Sequence, residues 1–322
     1  MGTVGTAVAR AADQAYGGLP ADGAITRAGA RSGGHAEGDA RATTRGAVII
    51  PAHDEAAVIG RTLRALAPLT RCSEVEIVVA CNGCRDDTAE IARGFAGVTV
   101  VETDEASKAA GLNLGDRAAT AWPRLYLDAD IEVDPAAVAA VFAELAEPGV
   151  LAARPRFVYD VSGASLPVRA YYRARARITA PARRMWGAGG YATNAAGHSR
   201  FAAFPALTAD DCWFDALFAD EEKRVVATEG MRVRTPRDVH ALLAVLTRQH
   251  RGHVQASTGD TAAARVRSLI GGIRRISEAT DAAWYIGLTA WTRLRVARAA
   301  RRDAGAVWER DLSSRGIPGV VA

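Results

Sequence analysis

Between Gly46 and Asp134, short apolar runs alternate with stretches of helical spacing, and this alternation restricts the fold more than any other feature of the chain. The run 47-AVIIP-51 is continuously apolar and stopped by proline, the pattern of a strand buried on both faces. Val58, Ile59, Leu63 and Leu66 follow at helical spacing over 55–67. The unit then repeats: a strand over 75–80, a turn over 81–84 and a helix from Asp86; a strand over 98–101 and a helix over 105–119; a strand over 124–128. Pro135 suits the first turn of a further helix with Asp134 as its N-cap. Strands alternating with helices of this length predict right-handed βαβ units and an α/β domain whose mostly parallel sheet lies between helices. In such sheets the ligand sits beyond the carboxyl ends of the strands.

Outside this region the pattern changes. Residues 1–44 are rich in Ala, Gly and Arg, with Tyr16 as the one aromatic. They bury too little apolar area to offset their ordering entropy and are expected to form a disordered leader. Asp13, Asp22, Glu37 and Asp39 fit a transit peptide poorly. The main domain is placed at 45–255. Its second half predicts a strand over 150–160, an arginine-rich helix over 165–178, a glycine-rich loop over 185–194 and helices over 209–219 and 238–254. Residues 256–322 read as a basic helical extension.

Composition excludes several classes. The chain of 322 residues is 49% hydrophobic and 24% charged, which is globular. A net charge of only +4 gives no field of the kind nucleic acid selects, and no nucleic-acid partner is expected. Four cysteines are too few for a stapled secreted scaffold, and no run approaches the roughly 18 apolar residues of a spanning helix. A cytoplasmic protein is the expectation. Of 40 basic residues only Lys108 and Lys223 are lysine, so each lysine stands out.

The turn after the first strand, 51-PAHDE-55, is acidic and lacks close-approach glycines; there is no G-x-x-x-x-G-K-[ST], and no G-x-G-x-x-G follows the first strand. This argues against P-loop NTPases, dinucleotide dehydrogenases and sugar-nucleotide pyrophosphorylases. The strand over 124–128 runs into 127-LDAD-130. Residues i and i+2 on a strand point the same way, so Asp128 and Asp130 are expected to present two carboxylates to one spot at the ligand edge. Two hard oxygen ligands there suit Mg²⁺ or Mn²⁺, which would neutralise a departing diphosphate.

The segments 47-AVIIPAHDEAAVIGRTLRAL-66, 86-DDT-88, 108-KAAGLNLG-115 and 127-LDAD-130 together resemble the family 2 inverting glycosyltransferases, which have the GT-A fold. Further on, 209-ADDCWFDALF-218 is similar to that family's E-D segment and 248-RQHR-251 to its Q-x-x-R-W segment. The resemblance implies a nucleotide-diphosphate sugar as donor, with Pro51, Asp54 and Glu55 bordering the base and ribose and Lys108 approaching the nucleotide. It places Asp128 near the ribose, Asp130 on the metal, and Arg248 and Arg251 on the diphosphate. Asp211 would be the base that takes the proton from an acceptor hydroxyl; Asp210 and Asp215 compete for that role. The acceptor, whether glycan, lipid-linked or small, is not specified. The chain departs from the family where Cys81 and Asn82 replace two acids near the base, where Asp210 replaces glutamate, and where Gly252 replaces the tryptophan of processive synthases. Asn82 still offers hydrogen bonds to a base edge, and Gly252 favours transfer of a single sugar.

Two other classes stay in view. A non-catalytic nucleotide- or lipid-binding protein on the same fold is compatible with Cys81 and Asn82. A thiol oxidoreductase would use Cys81 and Cys84, a C-x-x-C between strand and helix. The C-terminal 62 residues carry eleven arginines against five acids. The run 282-AAWYIGLTAW-291 ahead of 292-TRLRVARAARR-302 suits either a helix packed on the domain or one lying on an anionic membrane, with Trp284, Tyr285 and Trp291 inserted.

Overall fold

The computed structural model describes residues 25–27, 45–72, 74–178, 183–207, 209–255 and 262–300. Eight strands form one sheet: β1 (Ile25–Arg27), β2 (Arg45–Ala52), β3 (Glu74–Asn82), β4 (Val98–Thr103), β5 (Arg124–Leu127), β6 (Ala152–Asp160), β7 (Gly190–Thr193) and β8 (Lys223–Arg234). Their order is β1-β4-β3-β2-β5-β7-β6-β8. The run β4-β3-β2-β5 is parallel throughout, β7 is antiparallel to both neighbours, and β8 pairs parallel with β6. The expected leader lies outside the described residues except for Ile25–Arg27, which adds an antiparallel edge strand to β4.

The helices are α1 (Ile59–Cys72), α2 (Thr88–Arg93), α3 (Lys108–Ala118), α4 (Pro135–Glu144), α5 (Leu166–Arg177), α6 (Ala195–His198), α7 (Asp210–Asp215), α8 (Val239–Gln255), α9 (Ala262–Gly271) and α10 (Ile276–Ala300). Alternate residues of β2 enter different cores. Val48 and Ile50 pack with Leu63, Ile77 and Val141, whereas Ala47 and Ile49 pack with Leu112, Tyr126 and Phe214. Both faces are sealed, which is why the sequence of β2 shows no polar alternation. A third core joins α5, α8 and α10 through Val168, Tyr171, Leu242, Leu246, Tyr285 and Leu288.

Three elements differ from the sequence reading. Residues 190–193, expected in a glycine-rich loop, form β7, a four-residue strand buried along its length between β5 and β6. Gly190 allows that fit, since an added Cβ would lie 2.9 Å from the Met231 sulfur and 3.0 Å from Leu127. The helix expected over 209–219 is only six residues, α7. And β5 stops at Leu127, so Asp128 and Asp130 lie on the following turn and the two-residue strand rule does not govern them.

The packing of α3 sets up the site. Gly111 and Gly115 lie one turn apart facing the sheet; an added Cβ would sit 2.7 Å from Asn82 Oδ1 and 2.5 Å from Ile49 Cγ2 respectively. The helix therefore rests close on β2 and β3. Its first residue, Lys108, follows the N-cap Ser107, whose Oγ accepts from the Ala110 amide at 3.3 Å. A cation at a helix N-terminus opposes the helix dipole, so Lys108 needs carboxylates elsewhere.

Candidate active site

Lys108 finds two. Its Nζ lies 2.8 Å from Asp128 Oδ1, at the end of β5, and 3.0 Å from Asp210 Oδ1, at the start of α7. The two carboxylates hold the ammonium well above its usual pKa against the opposing effect of burial. Asp210 is nearly sealed, its side chain 5% exposed. Burial, with Asp211 and Asp128 nearby, raises its pKa, while Lys108 and the Tyr191 hydroxyl pull it back. That hydroxyl donates to Asp210 Oδ2 at 2.7 Å.

The turn after β5 is pinned from behind. Thr62 Oγ1 donates to Ala129 O at 2.7 Å, Arg61 Nη2 to Asp130 O at 3.2 Å, and the Asp128 amide to Gly189 O at 2.8 Å. These bonds use main-chain atoms, and the Asp128 and Asp130 side chains stay partly exposed at the sheet edge. As hard oxygen donors, they fit the chemistry of Mg²⁺ or Mn²⁺.

The three competing acids of α7 have different surroundings. Asp215 accepts from the Met185 amide at 2.7 Å and lies 3.3 Å from Lys223 Nζ, which is itself buried. Asp211, four residues earlier on the same face, accepts from the Gly187 amide at 2.7 Å. The i, i+4 pair on the helix thus meets an i, i+2 pair on the 185–187 segment. Asp215 is neutralised in a salt bridge and Asp210 is sealed under Lys108; Asp211 is half-buried and, among the described residues, in ion-pair contact with no lysine, Lys108 acting on it only at longer range. Of the three it is the best suited to accept a substrate proton.

A cleft of about 460 Å³ opens beyond β2, β3 and β4, lined by His53, Asp54, Gly83, Cys84, Arg85, Asp104 and Ala106. Asp54 adopts a left-handed backbone (φ 48°), and its Oδ1 accepts from the Arg85 amide at 2.7 Å. Glu55 begins the next loop, its amide donating to Thr88 Oγ1 at 2.7 Å. Pro51 and Asn82 are buried beneath α3 beside Gly111. Arg248 is half-buried on α8, a helix packed against α10 and α5. Arg251 lies on the same helix, and its side chain is outside the described residues.

Ligand atoms of Asp54, Cys84 and Asp86 lie within 4.8 Å of one another. Both carboxylates already accept main-chain N–H bonds, Asp54 from Arg85 and Asp86 from Ala56 and Thr88, so the trio serves to tie the two loops together. Cys84 donates to Ala52 O at 3.2 Å, and its contact with Cys81 lowers its pKa to about 7, while that contact and burial push Cys81 up. Cys81 is sealed in the core, 1% exposed. Sequence reasoning had no means of finding Tyr191 or the Gly187 amide; for Lys223 the scarcity of lysine was the one signal.

Residues 47–203 match the profile described as glycosyl transferase family 2. Among solved structures, the fold is similar to that of the mannosyltransferase PcManGT from Pyrobaculum calidifontis, solved with GDP-Man and Mn²⁺, at TM-score 0.52 and 21% identity over 83% of this chain and 77% of that one. It is also similar to mannosyl-3-phosphoglycerate synthase from Rubrobacter xylanophilus, at TM-score 0.48 and 16% identity over 71% and 76% of the two chains. For glucosyl-3-phosphoglycerate synthase from Mycobacterium tuberculosis the figures are 0.46 and 19% over 65% and 80%. No curated protein matches the chain. The match makes residues 47–203 a glycosyl transferase family 2 domain, and the mostly parallel sheet that carries the match is a GT-A fold.

Proposed function

We propose that this glycosyltransferase moves a single sugar, with inversion, from a nucleotide-diphosphate sugar to an acceptor hydroxyl. The observation that carries the proposal is the convergence of Lys108, Asp128, Asp210 and Asp211 at the carboxyl edge of the sheet, beside the cleft beyond β2, β3 and β4. That cleft suits the nucleoside, and Asp54 and Glu55 at its rim suit contacts to base and ribose. Asp211 accepts the proton as the acceptor oxygen attacks the anomeric carbon opposite the leaving diphosphate. Lys108 fixes Asp128 and Asp210 and keeps a positive charge close to the nucleotide. Arg248 and Arg251 supply fixed cations from α8 to the diphosphate. A divalent cation held by Asp130, with Asp128 beside it, would supply charge neutralisation to the departing diphosphate.

The test is a panel of UDP-, GDP- and TDP-sugars, GDP-mannose included, with the full chain and Mn²⁺. One donor is expected to raise the melting temperature and be turned over, since ligand stabilisation follows its concentration relative to Kd. Asp130→Ala should abolish turnover and reduce the shift given by that donor in Mn²⁺ to the value seen with chelator. A variant with the wild-type response removes Asp130 from the metal.

We place the enzyme in the cytoplasm, in contact with an anionic membrane face. Among the described residues no helix is long and apolar enough to cross a membrane. Along α10, Trp284, Trp291 and Leu294 are 41%, 60% and 56% exposed on one stripe bordering an apolar groove with α8, and Arg293, Arg295 and Arg298 are exposed around them. That pairing of aromatics with arginines suits an interfacial helix. Tyr285 takes no part, since it is 4% exposed and stacks on Tyr171 with ring centroids 5.0 Å apart. Trp284→Glu with Trp291→Glu is expected to abolish co-sedimentation with phosphatidylglycerol vesicles; binding equal to wild type removes this surface.

A further inference from the structure

Cys81 and Cys84 flank the turn that closes β3, and the transfer chemistry above uses neither. Both are free thiols, and they are in hydrogen-bonding contact; Cys81 is sealed in the core and Cys84 is partly exposed. The turn between them is held on every side. His53 Nδ1 lies 2.6 Å from Asn82 O, the Gly83 amide donates to Thr103 O at 2.7 Å, and the Arg85 amide donates to Asp54 Oδ1 at 2.7 Å. Gly83 takes a left-handed backbone (φ 64°) against Ala106, whose Cβ would lie 2.8 Å from an added one. Cys84 also lines the cleft beyond β2, β3 and β4, beside His53, Asp54 and Arg85. Its contact with Cys81, helped by the Asp54 main chain and Thr88, lowers its pKa to about 7 against burial, which gives a substantial thiolate fraction at neutral pH. Cys212 is the contrast: burial and the adjacent Asp211 push its thiol up.

A change at this pair is a change in the cleft wall. The Cys84 thiol donates to Ala52 O at 3.2 Å, and its sulfur lies within 4.8 Å of carboxylate oxygens of Asp54 and Asp86. A disulfide has no proton to donate, so joining Cys84 to Cys81 removes the bond to the carboxyl end of β2. It also ties residue 84 to β3, and the 83–85 turn follows the sulfur. The Arg85 amide, which fixes the Asp54 side chain, moves with that turn. Asp54 is the residue at the rim of the cleft that suits contact with base or ribose.

We infer that Cys81 and Cys84 are a thiol-modification site: a hydroperoxide joins them in a disulfide that weakens nucleotide binding in the cleft, and a dithiol reverses it. The Cys84 thiolate attacks one peroxide oxygen, the O–O bond breaks, and the hydroxide released takes up the proton given by the thiol. Cys84 is then a sulfenic acid. The Cys81 sulfur attacks the Cys84 sulfur, the S–O bond breaks, and the hydroxide leaves as water with the Cys81 proton. Two thiols are thereby oxidised and one peroxide is reduced to two waters. The sealed Cys81 meets the oxidant only through Cys84, which sets the order of the steps. The inference rests on the proposed reading of the cleft as the nucleoside site.

The first measurement treats the reduced full chain with equimolar hydrogen peroxide, blocks the remaining thiols and maps the peptides by mass. A Cys81–Cys84 disulfide is expected in wild type. Cys81→Ala should stop at a Cys84 sulfenic acid that dimedone traps, and Cys84→Ser should leave Cys81 reduced. The Cys84 variant is nearly isosteric at a partly exposed position, so it reads out the site even where Cys81→Ala fails to fold. A wild-type Cys84 that stays reduced, a disulfide mapped to another pair, or oxidation of Cys81 in Cys84→Ser overturns the inference. The second measurement is the Kd of UDP, GDP and TDP with Mn²⁺ for reduced and oxidised chain, each variant serving as its own reference. The nucleotide that binds is expected to bind about tenfold more weakly after oxidation, the scale of one hydrogen bond to a charged group. Dithiothreitol should restore the wild-type value, and Cys84→Ser should show no difference between the two treatments. Equal Kd values for reduced and oxidised wild type overturn the switch while leaving the nucleotide site intact. Failure of every nucleotide to bind the reduced chain, with the disulfide formed, overturns the nucleoside reading of the cleft and the switch with it.

Discussion

Asp211→Asn is expected to lower kcat by about a thousandfold, in the middle of the range that a positioned general base contributes, while leaving donor affinity unchanged. The substitution is close to isosteric, and the new amide oxygen still accepts the Gly187 N–H that now meets Asp211 Oδ2 at 2.7 Å. What is lost is the ability to take a proton. The neighbouring acids serve as internal controls. Asp215→Asn should reduce stability through the buried Lys223, whose Nζ lies 3.3 Å from Asp215 Oδ1, and spare the chemistry of whatever protein folds. Steady-state kinetics with saturating donor separates the two outcomes. If Asp211→Asn retains wild-type kcat and the Asp210 variant does not, the base has been assigned to the wrong member of the pair.

The parallel half of the fold was legible because its signals are local. Val48, Ile49 and Ile50 sit on a strand buried on both faces, so the apolar run is continuous, and Asp134 with Pro135 marks a helix start by capping chemistry that needs no tertiary partner. The antiparallel strand β7 was hidden because Gly190 and the glycines before it read as loop; Gly190 is there for contact with Met231 and Leu127, which only the folded chain reveals. The acids of the site were legible as residue types in order, but their division of labour was not. Asp210, Asp211 and Asp215 are alike in sequence. They differ through Lys108, Gly187 and Lys223, which lie at least eight residues away in the chain and reach them only through the sheet. The same holds for Tyr285, whose place in an apolar stretch suggested membrane contact and whose ring instead stacks on Tyr171 of α5.

Lys108→Met should carry the largest cost in stability, and that cost should depend on pH. The ammonium lies 2.8 Å from Asp128 and 3.0 Å from the buried Asp210, so its removal strands a carboxylate in a sealed site. Deleting one partner of such a pair costs about 3 kcal/mol. In the wild type the raised Lys108 pKa keeps its contribution fully present below the unfolded value of roughly 10.4 and loses it only above. Through neutral pH the lysine's own contribution is therefore constant. In the variant Asp210 keeps the burial that raises its pKa and loses the lysine that lowers it. A carboxyl whose folded pKa is raised favours folding most below its unfolded value near 3.9 and progressively less as pH rises through the folded value. The deficit of Lys108→Met relative to wild type is thus expected to be smaller at about pH 5 than at about pH 8. Urea unfolding at both values measures it, and Lys108→Met combined with Asp210→Asn should remove the pH dependence while leaving donor binding impaired. An equal deficit at both pH values would show that Asp210 is not the charge Lys108 neutralises, and the shared site of α3, β5 and α7 would lose its electrostatic basis.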